Sequence, residues 1–122
     1  MNIETALKET MAIDGALGAA LVDYDSGMAL GTVGGDRGLD MEVAAAGNTE
    51  VVRAKTRTLE ALRIGDSIED ILITLDHQYH LIRLLAQDGG SRLFLYLALD
   101  RERANLALAR HHLRRIEGEL SV

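Results

Sequence analysis

Between Leu39 and Arg63 the chain runs without proline and with a single glycine, Gly47, a stretch long enough for a helix of several turns. Asp40 stands where a helix N-cap would be, and Glu42 falls in the first turn, where negative charge suits the dipole. The apolar residues of this helix do not form one stripe. Met41, Ala45, Val52 and Leu59 lie along one side, while Val43, Ala44, Gly47, Val51, Ala54 and Leu62 lie along another. A helix apolar over so much of its girth has two faces to hide. One can rest on a sheet; for the other, the chain has no spare helix. The small residues Ala44, Ala45, Ala46 and Gly47 would let a second helix backbone come close. The alternative is an alanine-rich surface helix.

The remaining pattern is that of an α+β protein. Ile3 to Ile13 read as a short amphipathic helix closed at Asp14-Gly15. Ala16 to Val22 are apolar at every position and lead through Tyr24-Asp25-Ser26-Gly27 into Met28-Ala29-Leu30, a hairpin whose first strand is covered on both faces. Residues 31–38, with Gly31, Gly34, Gly35 and Gly38, read as a polar, flexible connector. After the break at Gly65-Asp66, three strands follow at Ile68 to Leu75, Gln78 to Leu85 and Arg92 to Leu99, with turns at Asp76-His77 and Gln87-Asp88-Gly89-Gly90. A last helix opens with Asp100 as its cap and carries Leu106, Ala109, Leu113, Ile116 and Leu120 on one stripe. The expected fold is one five-stranded antiparallel sheet with helices on both faces, in the order α-β-β-α-β-β-β-α, formed by residues 1–122 as one domain.

Composition narrows the function. The chain has no cysteine, which removes thiol catalysis, disulfides and cysteine-based zinc sites. A net charge of −6 opposes binding to nucleic acid and anionic membranes, and one Phe, three Tyr and no Trp leave little to stack bases or sugars on. No apolar run approaches a membrane span, and the first ten residues lack the basic start of a signal peptide, so a cytoplasmic location is expected.

No motif carries catalysis. The glycines of residues 31–38 follow a strand and precede a helix, as phosphate loops do, but the lysine and hydroxyl pair and the G-x-G-x-x-G spacing are missing. His77 and His80 flank a turn, and the adjacent His111 and His112 point about 100° apart on a helix, so neither pair has the geometry of a zinc site and hydrogen-bonded or exposed histidines are expected. The acid pairs Asp23/Asp25 and Glu69/Asp70 suit a turn and a solvated strand edge, and none of Ser26, Ser67, Ser91 and Ser121 lies in a nucleophile context. No catalytic residue, cofactor or metal ligand is assigned. Arg101, Arg103, Arg110, Arg114 and Arg115 gather positive charge on the last helix, which suits its C-terminal dipole or, through Arg103, Arg110 and Arg114, offers a docking strip for an acidic partner.

Ile71, Leu72, Ile73 and Leu75 leave the third strand apolar on both faces at a position where the meander places it at the sheet edge, and such an edge invites pairing with another chain. Edge pairing together with helix packing predicts a two-fold homodimer, or a heterodimer with a paralogue, through Val43, Ala44, Ala45, Gly47, Val51, Ala54, Leu62, Ile71 and Ile73.

Several phrases together resemble the roadblock / dynein light chain family: Gly18-Ala19-Ala20-Leu21-Val22-Asp23 with Gly27 behind it, Ala44-Ala45-Ala46, Ile71-Leu72-Ile73-Thr74, Tyr79-His80 before Leu81-Ile82-Arg83, and Leu99-Asp100-Arg101 leading to Ala104-Asn105-Leu106-Ala107. The resemblance spans nearly the whole chain. It implies a bacterial roadblock-domain protein: a non-catalytic dimer with a sheet shared across the two-fold and long helices side by side. It further implies an association with small Ras-like GTPases and signal transduction, as a regulator that donates no arginine finger. The alternative is a scaffold or ligand-sensing dimer in a sensor-kinase assembly without GTPase contact.

Overall fold

The computed structural model describes residues 1–35, 38–85 and 92–121. Its elements are α1 (Ile3–Met11), β1 (Ala16–Asp23), β2 (Met28–Gly34), α2 (Met41–Ala61), β3 (Asp70–Thr74), β4 (Gln78–Leu84), β5 (Leu93–Asp100) and α3 (Leu106–Glu119). The five strands form one antiparallel sheet in the order β2-β1-β5-β4-β3. The two strands that are apolar throughout, β1 and β5, are neighbours inside the sheet, while β2 and β3 form its edges, β3 where the meander put it.

Each helix starts on a short polar side chain that accepts the first free amide protons. Asn2 Oδ1 takes Thr5 N–H at 2.8 Å, Asp40 Oδ1 takes Glu42 and Val43 N–H at 2.9 and 3.2 Å, and Asn105 Oδ1 takes Leu108 N–H at 3.0 Å. The last cap corrects the sequence expectation. Asp100 ends β5 opposite Gln78, its side chain accepts Glu102 N–H at 3.0 Å and its carbonyl accepts from Arg103 and Ala104, so a turn separates strand and helix.

Alternation along the strands splits the core in two. On one face Ala19, Leu21, Leu81, Leu95, Leu97 and Leu99 meet α1 and α3 through Leu7, Ala109, Leu113 and Ile116. On the other face Ala20, Val22, Ile82, Phe94, Tyr96 and Ala98 meet α2 alone, through Met41, Ala45 and Val52.

The glycine-rich stretch departs from expectation over its first half. Residues 31–34 continue β2 instead of forming a flexible connector, and the glycines are there for room. A Cβ at Gly31 would come within 2.8 Å of Leu7 Cδ1, and one at Gly34, which has φ +70°, within 2.7 Å of the Leu17 carbonyl oxygen. Helix α1 and strand β1 occupy the space a side chain would need. Asp36 and Arg37 of that stretch, the turn expected at Gln87-Asp88-Gly89-Gly90, and Ser91 lie outside the described residues.

Candidate interaction surface

Helix α2 is where the two apolar stripes are put to different uses. Its inner side, Met41, Ala45, Asn48, Thr49 and Val52, is buried on the sheet. Thr49 satisfies its hydroxyl by donating to the Ala45 carbonyl at 2.8 Å, so a polar residue is carried on a buried face at little cost. Arg53 fastens the helix to the β1–β2 turn, its Nε donating to the Tyr24 carbonyl at 3.0 Å and its Nη2 to that of Asp25.

The outer side is open. Val43 is 68%, Leu62 60% and Val51 36% exposed, and Gly47 and Ala54 lie exposed between them. Of the residues assigned to a partner-facing surface, Ala45 is the exception and a correction. It is fully buried against the sheet, because at helical spacing it falls in line with Met41 and Val52 and not with Val43 and Gly47. Ala44 lies half-buried between the two stripes.

Helix α2 lies over the β1–β2 side of the sheet, which leaves the β3–β4 side of the same face without a helix above it. A groove therefore runs beside α2. At its start is a cavity of about 270 Å³ lined by Val43, Ala44, Gly47 and Asn48 of the helix and by His80 and Tyr96 of the sheet. At its end a second cavity of about 360 Å³ lies between Leu59 of the helix, Ile64 and Ile68 of the following segment, and Leu84 of β4. Ile71 faces the α2 side and, by strand alternation, so does Ile73; both are half-buried on a strand whose outer edge has no hydrogen-bonding neighbour among the described residues.

The opposite edge is less suited to pairing. Met28 and Leu30 of β2 are exposed, but the β1–β2 register shifts between Leu21 and Val22, and such a bulge twists an edge away from a flat partner.

Polar groups beneath α2 form a chain that sequence reasoning did not find. Gln78 Oε1 lies 2.8 Å from His80 Nε2 and His80 Nδ1 lies 3.2 Å from the Tyr96 hydroxyl, with Asn48 of the helix lining the same cavity. The His80 and Tyr96 rings meet edge to face, 5.4 Å apart at 87°. Burial lowers the His80 pKa; it raises that of Tyr96, against a smaller opposing effect of the nearby Asn48 side chain. The one available signal was Asn48-Thr49 interrupting the inner stripe of α2, since a polar pair between Ala45 and Val52 needs partners below it. Burial also raises the pKa of Tyr24, whose ring stacks on Phe94 at 6.2 Å.

Of the arginines expected on the last helix, Arg101 and Arg103 fall in the turn before α3, and only Arg110, Arg114 and Arg115 stand on it. Arg110 forks onto Asp70 of β3 at 3.1 and 3.3 Å, which also corrects the reading of Asp70 as a solvated acid at a strand edge. Arg115 bridges Glu9 and Glu119, whereas Arg103 and Arg114 are exposed with no ion pair among the described residues. The last turn of α3 carries no base, so its dipole does not account for these arginines. Arg101 lies over the Tyr79 ring at 5.0 Å and donates to the Leu75 carbonyl at 2.7 Å. His77 is exposed, and the rings of His111 and His112 meet 5.9 Å apart. Asp23 Oδ1 accepts the Asp25 N–H at 2.9 Å, the bond of a turn. No group of acids and histidines able to hold a metal occurs among the described residues, and none of their helices is long and apolar enough to cross a membrane.

One antiparallel sheet with α1 and α3 on one face and a long α2 on the other, in the order α-β-β-α-β-β-β-α, is the roadblock fold. No protein-family model matches the sequence, and no curated protein matches it either. Solved structures do. The chain is similar to Myxococcus xanthus MglB at a TM-score of 0.79 and 16% identity, over 96% of this chain and 92% of that one. It is similar to a Roadblock/LC7 domain from Streptomyces avermitilis at 0.77 and 15%, over 98% and 94%. An MglB with a tetrameric arrangement matches at a TM-score of 0.77 and 19% identity, over 93% and 81%. At these identities the likeness is one of fold.

Proposed function

We propose that residues 1–122 form one roadblock-like domain that pairs with a second copy, or with a paralogue, into a two-fold dimer. The observation that carries this reading is the apolar outer stripe of α2, from Val43 to Leu62, standing beside an uncovered β3 edge with Ile71 and Ile73 on the same side. Full burial of one exposed Val or Leu side chain is worth about 1.5–3 kcal/mol, so the stripe holds several kcal/mol that a lone copy cannot recover. A partner's α2 laid in the groove would recover it, while antiparallel pairing of two β3 strands would join the sheets. The interface comprises Val43, Ala44, Gly47, Val51, Ala54, Leu62, Ile71 and Ile73. The tetrameric arrangement of one similar MglB supports self-association.

The dimer is a non-catalytic module of the cytoplasm that regulates a small Ras-like GTPase or the signalling complex around it. The sequence resemblance to the roadblock / dynein light chain family and the likeness of fold to MglB support this assignment. Arg103 and Arg114 are the arginines free to steer an acidic partner; Arg110 is committed to Asp70.

Sedimentation equilibrium at micromolar concentration should give the mass of two chains, and the dimer should bind a Ras-like GTPase of the same organism and change its rate of GTP turnover. A species of one chain's mass would overturn the dimer. A dimer that leaves the GTPase untouched would move the function to a scaffold or ligand-sensing dimer of a sensor-kinase assembly.

A further inference from the structure

His80 lies on the wall of the groove beside Val43, Ala44 and Gly47, at the place a partner's helix would cover. Its two ring nitrogens are both engaged, by Gln78 Oε1 at 2.8 Å and by the Tyr96 hydroxyl at 3.2 Å. The neutral ring with its proton on Nε2 satisfies both contacts: Nε2–H donates to Gln78, and Nδ1 accepts the Tyr96 O–H. Tyr96 is fully buried, so no water can replace a lost link there. A second proton on the ring turns Nδ1 into a donor. Tyr96 must then turn its own proton away from the ring.

The charge itself also lacks a counterion. On β3 the neighbours facing His80 are the apolar Ile71 and Ile73; on β5 they are Tyr96 and Ala98. Asp40 lines the same cavity but its Oδ1 caps α2, and Asp100 stands two strand positions from Ala98 with its Oδ1 accepting the Glu102 N–H. Neither makes an ion pair with His80. From α2, Val43, Ala44, Gly47 and Asn48 line the cavity next to it, and none carries charge. Burial already favours the neutral ring. A helix laid over the groove would remove the water that still reaches it and disfavour the imidazolium further.

We infer that His80 makes the dimer pH-sensitive: the two chains associate while both His80 rings are neutral and separate as the rings gain protons in mildly acidic solution. This rests on the dimer proposed above and names a regulation of that same surface. The sign follows from linkage. The folded ring's pKa is lowered and is lowered further in the dimer, so the dimer binds fewer protons than two monomers; association is fully present above the ordinary histidine range and is lost as pH falls through the monomer's His80 pKa. Each dimer has two such rings, so Kd can rise by up to about 100-fold per pH unit in that window.

The test is the dimer Kd from sedimentation at pH 7.5 and 5.5 for the wild-type chain and for His80→Gln, with far-UV circular dichroism at each pH to show that the fold persists. We expect Kd to rise at least about tenfold for the wild type and to stay level for His80→Gln, which keeps the other three histidines. Equal pH dependence in the two proteins overturns the switch and leaves the dimer standing. A monomer at every pH overturns both. A second readout needs no change at His80: NMR titration of its ring should give a lower pKa in the dimer than in a monomeric Val51→Glu chain, and equal values would also overturn the proposal.

Discussion

Arg83 and Glu117 show what one residue pair does for this fold. Arg83 Nε donates to Glu117 Oε1 at 2.8 Å, both side chains are largely buried, and Glu69 stands 3.8 Å away at the surface. The pair ties α3 to β4, the strand next to the unpaired edge. Removing one member strips the other of this short ion pair at a site with little water, so Arg83→Leu or Glu117→Leu alone should cost about 3 kcal/mol. The double substitution to leucine should cost less than either single one, because no uncompensated charge remains. Urea unfolding at fixed protein concentration measures all three. The sequence showed Arg83 only as a charge inside an apolar strand; which acid answered it depended on α3 folding back over that strand.

At the scale of elements, the caps carry the clearest test. Asp100 and Asn105 both precede an apolar periodic run, and either could open the last helix. The structure chose Asn105, because the sheet holds Asp100 in register with Gln78 while Asn105 is left extended at φ −107°. Asn105→Ala should therefore lower stability by about 1 kcal/mol, read as a shift in the urea midpoint with an unchanged slope. The other elements were legible to within a few residues wherever apolar spacing marked them. Strand β2 was the element most shortened in the sequence reading, since Gly31 and Gly34 look like loop residues until the neighbours that exclude a Cβ are known.

At the scale of the molecule, two positions on α2 separate surface from core. Val51→Glu adds a charge to the outer stripe and should convert a dimer into a folded monomer, seen as one chain's mass by sedimentation with an unchanged far-UV spectrum. Ala45→Glu puts a charge against Ala20, Phe94 and Tyr96 in a site with no room or counterion, and should abolish cooperative unfolding altogether. The same substitution type on one helix thus gives opposite results. Had Ala45 faced a partner, as its place among the small residues 44–47 invited, both would act on association alone.

The chain of residues, read alone, determined the order and kind of the elements and the presence of two apolar stripes on one helix, because hydrophobic spacing and capping act within a few residues of each other. Only the tertiary structure decided which stripe meets the sheet, which acid answers Arg83 and Arg110, and that Gln78, His80 and Tyr96 join into one hydrogen-bonded chain. Those choices hang on contacts between strands and helices distant in sequence. Short-range periodicity carries no record of which distant side chain will stand opposite.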